Sequence, residues 1–362
     1  MDQRDISEKI LYILSFFAIV LFFIICKNLS SVMLPAISAI LLGFVFKNIP
    51  ERLEKKFKIP WVLSCVFILL FLIVIIFVFS SLLITSLTTI VAEFPKYENK
   101  FMTIFKIFAD RFSIIIDEEQ NLFQNLWQNL QIREYIQKIA IFLSSGVVSA
   151  GKAIFLVLIL FGFLLIEIKS MSNRFHTAFD KQDKTNVSTL SSKIINETSR
   201  YVFIKFIISL ATGFLAFAGT KIIGMDFSII WATFAFLMNF IPTFGSIFSC
   251  AITTLFALVQ FYPDSIGKVI FIFIYMVAIN FTLGNIIEPR IEGKELGLSP
   301  FVILVSLSLW GWAWGFVGMI LAVPLTVILK IICENIDYLS KFALIFGYAK
   351  EKTPKKNNKS DK

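Results

Sequence analysis

Few side chains in this 362-residue chain could do chemistry, and those that could lie where apolar runs are interrupted. Glu288, Pro289 and Arg290 close one such run, and Ser299 and Pro300 open the next. The carboxylate is the sharpest of them. At a membrane helix centre it costs about 2.5 to 3.5 kcal/mol on insertion scales, so its place beside an apolar run calls for a role or a partner. It could take up a proton, or it could pair at the interface with Arg290 or Lys294. Asn239, Asn280 and Asn285 bring amides that donate and accept near the same breaks, and each could equally serve to join helices. Pro242, Thr243 and Gly245 fall in one break, NFIPTFG, and Gly311 and Gly315 frame another, GWAWG. Backbone groups freed by such breaks have no water to bond in hydrocarbon, so they must be buried in protein or line a wet cavity. The chemistry this offers is reversible binding of a passenger by amides, helix ends and one acid.

Covalent chemistry has little to work with. The single histidine, His176, lies in a polar stretch after a span, where a solvated surface residue is the expected reading. Cys26, Cys65, Cys250 and Cys333 are far apart, within or at the ends of apolar runs, and read as small packing residues. No Ser/His/Asp or Cys/His set, no phosphate-cradling Gly-rich loop and no His-Glu-x-x-His stands in the chain. The expectation is a protein that is no enzyme, with no cofactor and no metal site.

The elements that must hold these residues are membrane helices. Hydrophobic residues make up 57% of the chain and mean hydropathy is +0.82, which places it outside the soluble class. The net charge of +9 does not point to nucleic acid, because the basic residues sit in loops beside apolar runs and in a Lys-rich tail. Anionic headgroups and the positive-inside rule account for that placement, so membrane lipid is the expected partner of these charges. Residues 1–92 read as N-terminal spans, with the basic loop KNIPERLEKKFKIP on the cytoplasmic side. Pro60 to Ala92 alone would reach roughly 50 Å as one helix, beyond a core about 30 Å thick, so its surplus should project outwards. Residues 93–145 keep an apolar, largely aromatic stripe at helical spacing (Phe101, Ile104, Phe105, Phe108, Phe112, Ile115) and read as an extracytoplasmic amphipathic arm. Residues 146–200 return the chain through a span into a cytoplasmic segment, and residues 336–362 form a cytoplasmic basic tail.

Between them, residues 201–335 carry a repeated plan. Tyr201 to Ile223 and Ser265 to Gly284 are spans, and each precedes a broken hairpin, 226–261 and 299–333. Asp226 should cap the first hairpin's opening helix, and Ser299 the second's. Counted from the basic loops, the two hairpins enter from opposite faces and bring their breaks towards the bilayer middle, which is the inverted-repeat logic of carriers with discontinuous helices. The expected fold is an all-α integral membrane protein of about six full transmembrane helices plus two re-entrant hairpins in inverted arrangement.

Three blocks also carry a resemblance: Asn239 to Gly245 (NFIPTFG), Glu288 to Gly293 (EPRIEG), and Gly297 to Pro300 followed by the Gly-rich and AVPL segments. In order and spacing, with Phe94-Pro95 and the run ending at Glu167, the chain resembles the autoinducer-2 exporter family over most of its length. The resemblance implies a multi-pass protein of the cytoplasmic membrane that exports small hydrophilic molecules. For some relatives it implies exchange of sodium or lithium against protons, with Glu288 as the protonatable residue. It also implies a homo-oligomer, a pentamer. An oligomeric channel or scaffold without coupled transport stands as the other class, against which the interrupted helices count. Ser299 departs from the family pattern, in which a histidine is expected before the proline.

Overall fold

The computed structural model describes residues 3–111, 151–168, 184–292 and 297–335, with Lys138, Gly146 and Phe346. Most of the expected amphipathic arm, the segment after Ile168 and the basic tail lie outside the described residues. Among these residues every regular element is a helix. They are α1 (Gln3–Asn28), α2 (Ser30–Phe46), α3 (Asn48–Phe57), α4 (Trp61–Arg111), α5 (Gly151–Ile168), α6 (Lys184–Ile222), α7 (Ser228–Met238), α8 (Phe244–Phe261), α9 (Ile266–Asn280), a π-helical segment (Phe281–Ile287), α10 (Glu288–Glu292) and α11 (Pro300–Asn335). Seven helical stretches are long and apolar enough to cross a bilayer.

The sequence dictates this by its inside-out surface. Phe67, Phe71 and Phe77 on α4 are 68%, 58% and 73% exposed, an arrangement that water would penalise and lipid rewards. α4 runs for 51 residues, about 77 Å, which is well past the thickness of a bilayer core. It packs with α2 and α5 through Ala39, Cys65, Ile68, Phe161 and Leu165, and the Trp61 indole donates to the Leu165 carbonyl at 3.2 Å.

α6 is the mast of the other half. Its buried stripe, Thr198, Ile204, Ser209, Thr212, Ala216 and Thr220, mixes small and hydroxyl residues, which lets neighbouring backbones approach closely. Thr212 and Thr220 donate back to their own helix, so they bring no unpaired donor into the seam. The first hairpin, α7 and α8, leaves from the Ile222 end of α6. The foot of α11 lies at the other end, where Leu298, Val327 and Ile331 pack against Ile194 and Tyr201. The two therefore approach from opposite ends of α6. Their breaks meet, because Ile241 in the first joins Leu307, Trp310, Ala313 and Trp314 of the second in one cluster.

α11 is itself a hairpin. Trp314 (φ −130°, ψ 15°) and Gly315 (φ 62°, ψ −142°) leave helical geometry, and only glycine takes the latter conformation freely. Across the turn Ser306 donates to the Ala322 carbonyl at 3.1 Å. The turn of α1 into α2 lies against this tip, where the Trp314 indole donates to the Cys26 carbonyl at 2.8 Å and Lys27 sits 3.9 Å over the Trp312 ring.

Two expectations are corrected here. Asp226 does not cap α7: Phe227 occupies the preceding position in a left-handed conformation (φ 58°), no side chain caps the helix, and the carboxylate turns to Tyr97 and Lys96 of α4. The span expected to end at Gly284 continues through the π segment to Glu292, since no residue in FTLGNII stops a helix.

Candidate functional site

A cavity of about 620 Å³ opens between the first hairpin and the α9–π–α10 rod, with α6 behind it. The hairpin contributes its break. Thr243 takes φ 64° and ψ −60°, and the Phe244 N–H donates to the Pro242 carbonyl at 2.7 Å, which makes a γ-turn of the rare, strained kind centred on Thr243. Strain of this sort costs on the order of 1–3 kcal/mol and persists only where its surroundings dictate it. Here Gly245 lies so close beneath the turn that a Cβ on it would stand 1.7 Å from the Met238 carbonyl oxygen.

The opposite wall has a regular face. Val277, Phe281, Asn285 and Pro289 line it in steps of four, as do Asn280, Gly284 and Glu288. An α-helix drifts by about 40° every four residues, and the wider π turn drifts by a similar angle in the opposite sense, so inserting one into the rod offsets the drift along this face. The seven-residue π segment thus aims two amides and one acid at one cavity. Asn239 Nδ2 donates to Ser209 Oγ at 3.0 Å, and Asn280 Nδ2 reaches the Ser246 carbonyl at 3.4 Å. The amides therefore stitch hairpin to rod and to α6, and Asn239 Oδ1 accepts from Ser246 Oγ at 3.5 Å within the hairpin.

The charged end is an ion pair. Lys205 Nζ of α6 donates to Glu288 Oε1 at 2.7 Å, with the side chains only 6% and 14% exposed. Glu288 does not pair with Arg290, which is exposed on the far side of α10. Removing one partner of so buried a pair would strand the other charge, at roughly 3–5 kcal/mol.

Of the residues singled out in the sequence, Asn239, Pro242, Thr243, Asn280, Asn285 and Glu288 meet at this cavity. Gly245 supports it from behind. Ser299 is elsewhere, accepting the Val302 N–H at 3.3 Å as a helix cap. Gly311 sits against Met319 and Gly315 forms the second turn, so both serve the other hairpin. Trp310 and Trp314 are buried packing residues and Trp312 is 53% exposed. Lys205 was not foreseen. Its signal was present: a lone lysine four residues inside the apolar run YVFIKFIISL. Among the described residues no group of His, Cys, Asp and Glu could hold a metal ion.

A polar tie joins the other end of this hairpin to α4. Tyr97 and Lys96 both donate to Asp226, the latter at 2.9 Å, and Lys100 donates to the Gln260 carbonyl. Gln260 accepts the Asp226 N–H at 2.8 Å and donates to the Gly224 carbonyl at 3.1 Å. Both feet of the hairpin are thus pinned to the projecting part of α4. Burial pushes the Asp226 carboxyl upward, but the hydrogen bonds from Tyr97 and Lys96 and the lysine charges outweigh it and hold the group below the usual carboxylate range. Tyr97 is driven well above the usual phenol range, by burial first and then by the carboxylate it bonds.

Seven membrane-scale helices, two broken hairpins whose tips pack together and a cavity at the first break define a membrane transporter, and the sequence comparison agrees: the AI-2E family transporter description matches residues 11–337, and the chain belongs to that family. Among its relatives, a Borreliella burgdorferi protein provisionally named a transport protein is 33% identical over 322 residues, covering 89% of this chain and 86% of that one. A Haemophilus influenzae protein with the same provisional name is 27% identical over 326 residues, covering 89% and 91%. The Escherichia coli (strain K12) protein named AI-2 transport protein TqsA is 27% identical over 314 residues, covering 84% and 86%.

Proposed function

We propose that the chain is a secondary carrier that moves a small hydrophilic solute across the cytoplasmic membrane. Both termini lie on the cytoplasmic side, and several copies assemble into a homo-oligomer. The observation that carries this reading is the cavity at the first hairpin's break, where Asn280, Asn285 and a buried ion pair face space that a solute could fill. Fixed polar groups in an otherwise apolar wall are what orient a small ligand. One relative's name gives AI-2 as what it transports, and that is the first solute to try. A second reading, exchange of sodium or lithium against protons, is favoured by one specific feature: among the described residues of the cavity wall, the single acid is Glu288.

Purified protein in proteoliposomes separates these. AI-2 flux, and sodium- or lithium-driven proton movement followed with an entrapped pH-sensitive dye, are measured for the parent and for Glu288→Gln. The parent should support one of the two, and the variant, still monodisperse, should lose it. Unchanged flux in the variant removes Glu288 from the mechanism. No flux of either kind from a well-inserted parent counts against both readings.

A further inference from the structure

The charged end of the cavity is closed by groups from two different elements. Lys205 belongs to α6 and Glu288 opens the five-residue α10, so their contact spans the seam between them. Five residues earlier on α6, Arg200 donates to the Ile291 carbonyl at 3.0 Å and staples the same seam on its exposed side. Among the described residues the rest of the cavity wall carries no charge. Parting the pair therefore leaves two buried charges that only water or a polar passenger can satisfy, and opening is tied to wetting.

The backbone provides a means of parting it. Glu288 directly follows the π segment, and the wider turn there has absorbed about one extra residue. Relaxing that segment to α geometry would turn everything after it by about 100°, the angle of one residue in an α-helix, and would carry the carboxylate off the seam.

We propose that the Lys205–Glu288 pair is a gate at this end of the cavity, closed in the present structure, and that the π segment is the swivel that opens it. Lys205 is then a positioning residue that holds Glu288 on the seam. The proposal rests on reading the cavity as a passenger site, but its test does not use flux. Cys250 lies in the cavity wall and is 8% exposed, so its modification reports entry of a polar reagent.

With Cys26, Cys65 and Cys333 replaced by alanine, the modification rate of Cys250 by a cationic methanethiosulfonate is measured in proteoliposomes. Lys205→Met and Glu288→Gln should each raise it at least about tenfold, because the rate follows the open population. Lys205→Arg, and the exchange Lys205→Glu with Glu288→Lys, should stay near the parent. Deletion of Thr282, an exposed residue of the π segment, keeps both charges and should also label fast, which covers the case in which the neutralised variants do not insert. Parent-like rates in the neutralised variants, or equally fast rates in the charge-preserving ones, overturn the gate. A parent-like rate in the deletion overturns the swivel. Loss of flux in a chain whose Cys250 labelling still responds would instead count against the carrier reading alone.

Discussion

At the scale of single residues, what matters is how little room the first break leaves. A Cβ at Gly245 would meet the Met238 carbonyl oxygen at 1.7 Å, and backbone cannot rotate aside as a side chain can. Gly245→Ala should therefore destabilise the protein by roughly 1–3 kcal/mol, the usual range for forcing atoms into a packed interior. Gly267→Ala, on α9 with nothing within 4 Å, should stay within about 0.5 kcal/mol of the parent. Thermal unfolding in one detergent reads both, and equal losses would contradict the close approach. Asp226 supports a second expectation. Its folded pKa lies below its unfolded value of about 3.9, so its contribution is complete above that pH and is lost as pH falls through the folded value. The melting temperature of the parent should exceed that of Asp226→Asn by a constant margin from about pH 5 to 8 and converge with it only below about pH 4. A margin already shrinking at about pH 6 would assign the titration to another group.

At the scale of elements, both hairpins were legible because proline and glycine interrupt apolar stretches too short to hold two full crossings, although α8 is by itself long and apolar enough to cross. The breaks at NFIPTFG and GWAWG needed only that arithmetic. The π segment was not legible, since nothing in FTLGNII marks it. It exists because α9 must continue into α10 while Asn280, Gly284 and Glu288 keep facing one cavity. Lys205 escaped for a related reason. It follows closely on the basic loop that ends at Arg200, and its partner stands 83 residues further on, a distance that spacing cannot bridge. The second hairpin offers a sharp test. Along one straight helix, Ser306 and Ala322 would stand about 24 Å apart, yet the Ser306 hydroxyl reaches the Ala322 carbonyl at 3.1 Å. Ser306→Cys combined with Ala322→Cys should therefore form an intramolecular cross-link with a short bifunctional thiol reagent, detected by mass spectrometry after proteolysis between the arms. Absence of that product, with both thiols reactive towards a monofunctional reagent, would mean that the helix is unbroken.

At the scale of the whole molecule, the argument turns on which ends of α6 the two hairpins leave from. Hairpin one is tied at its feet to the projecting end of α4 through Asp226, Gln260, Lys96, Tyr97 and Lys100. Hairpin two has its feet beside Ile194 and Tyr201, at the end of α6 where Arg200 meets α10. If the basic loop with Arg52, Lys55 and Lys56 lies in the cytoplasm, as the positive-inside rule predicts, the feet of hairpin one face outwards and those of hairpin two inwards. Single cysteines at Asp264 and Arg52, both exposed, test this in a background without the native thiols. In intact cells a membrane-impermeant maleimide should label Asp264→Cys and spare Arg52→Cys, and in inverted membrane vesicles the pattern should reverse. Labelling of both from one side would place the two hairpins on the same face, and their breaks could then no longer meet from opposite directions in the cluster of Ile241 with Leu307, Trp310, Ala313 and Trp314.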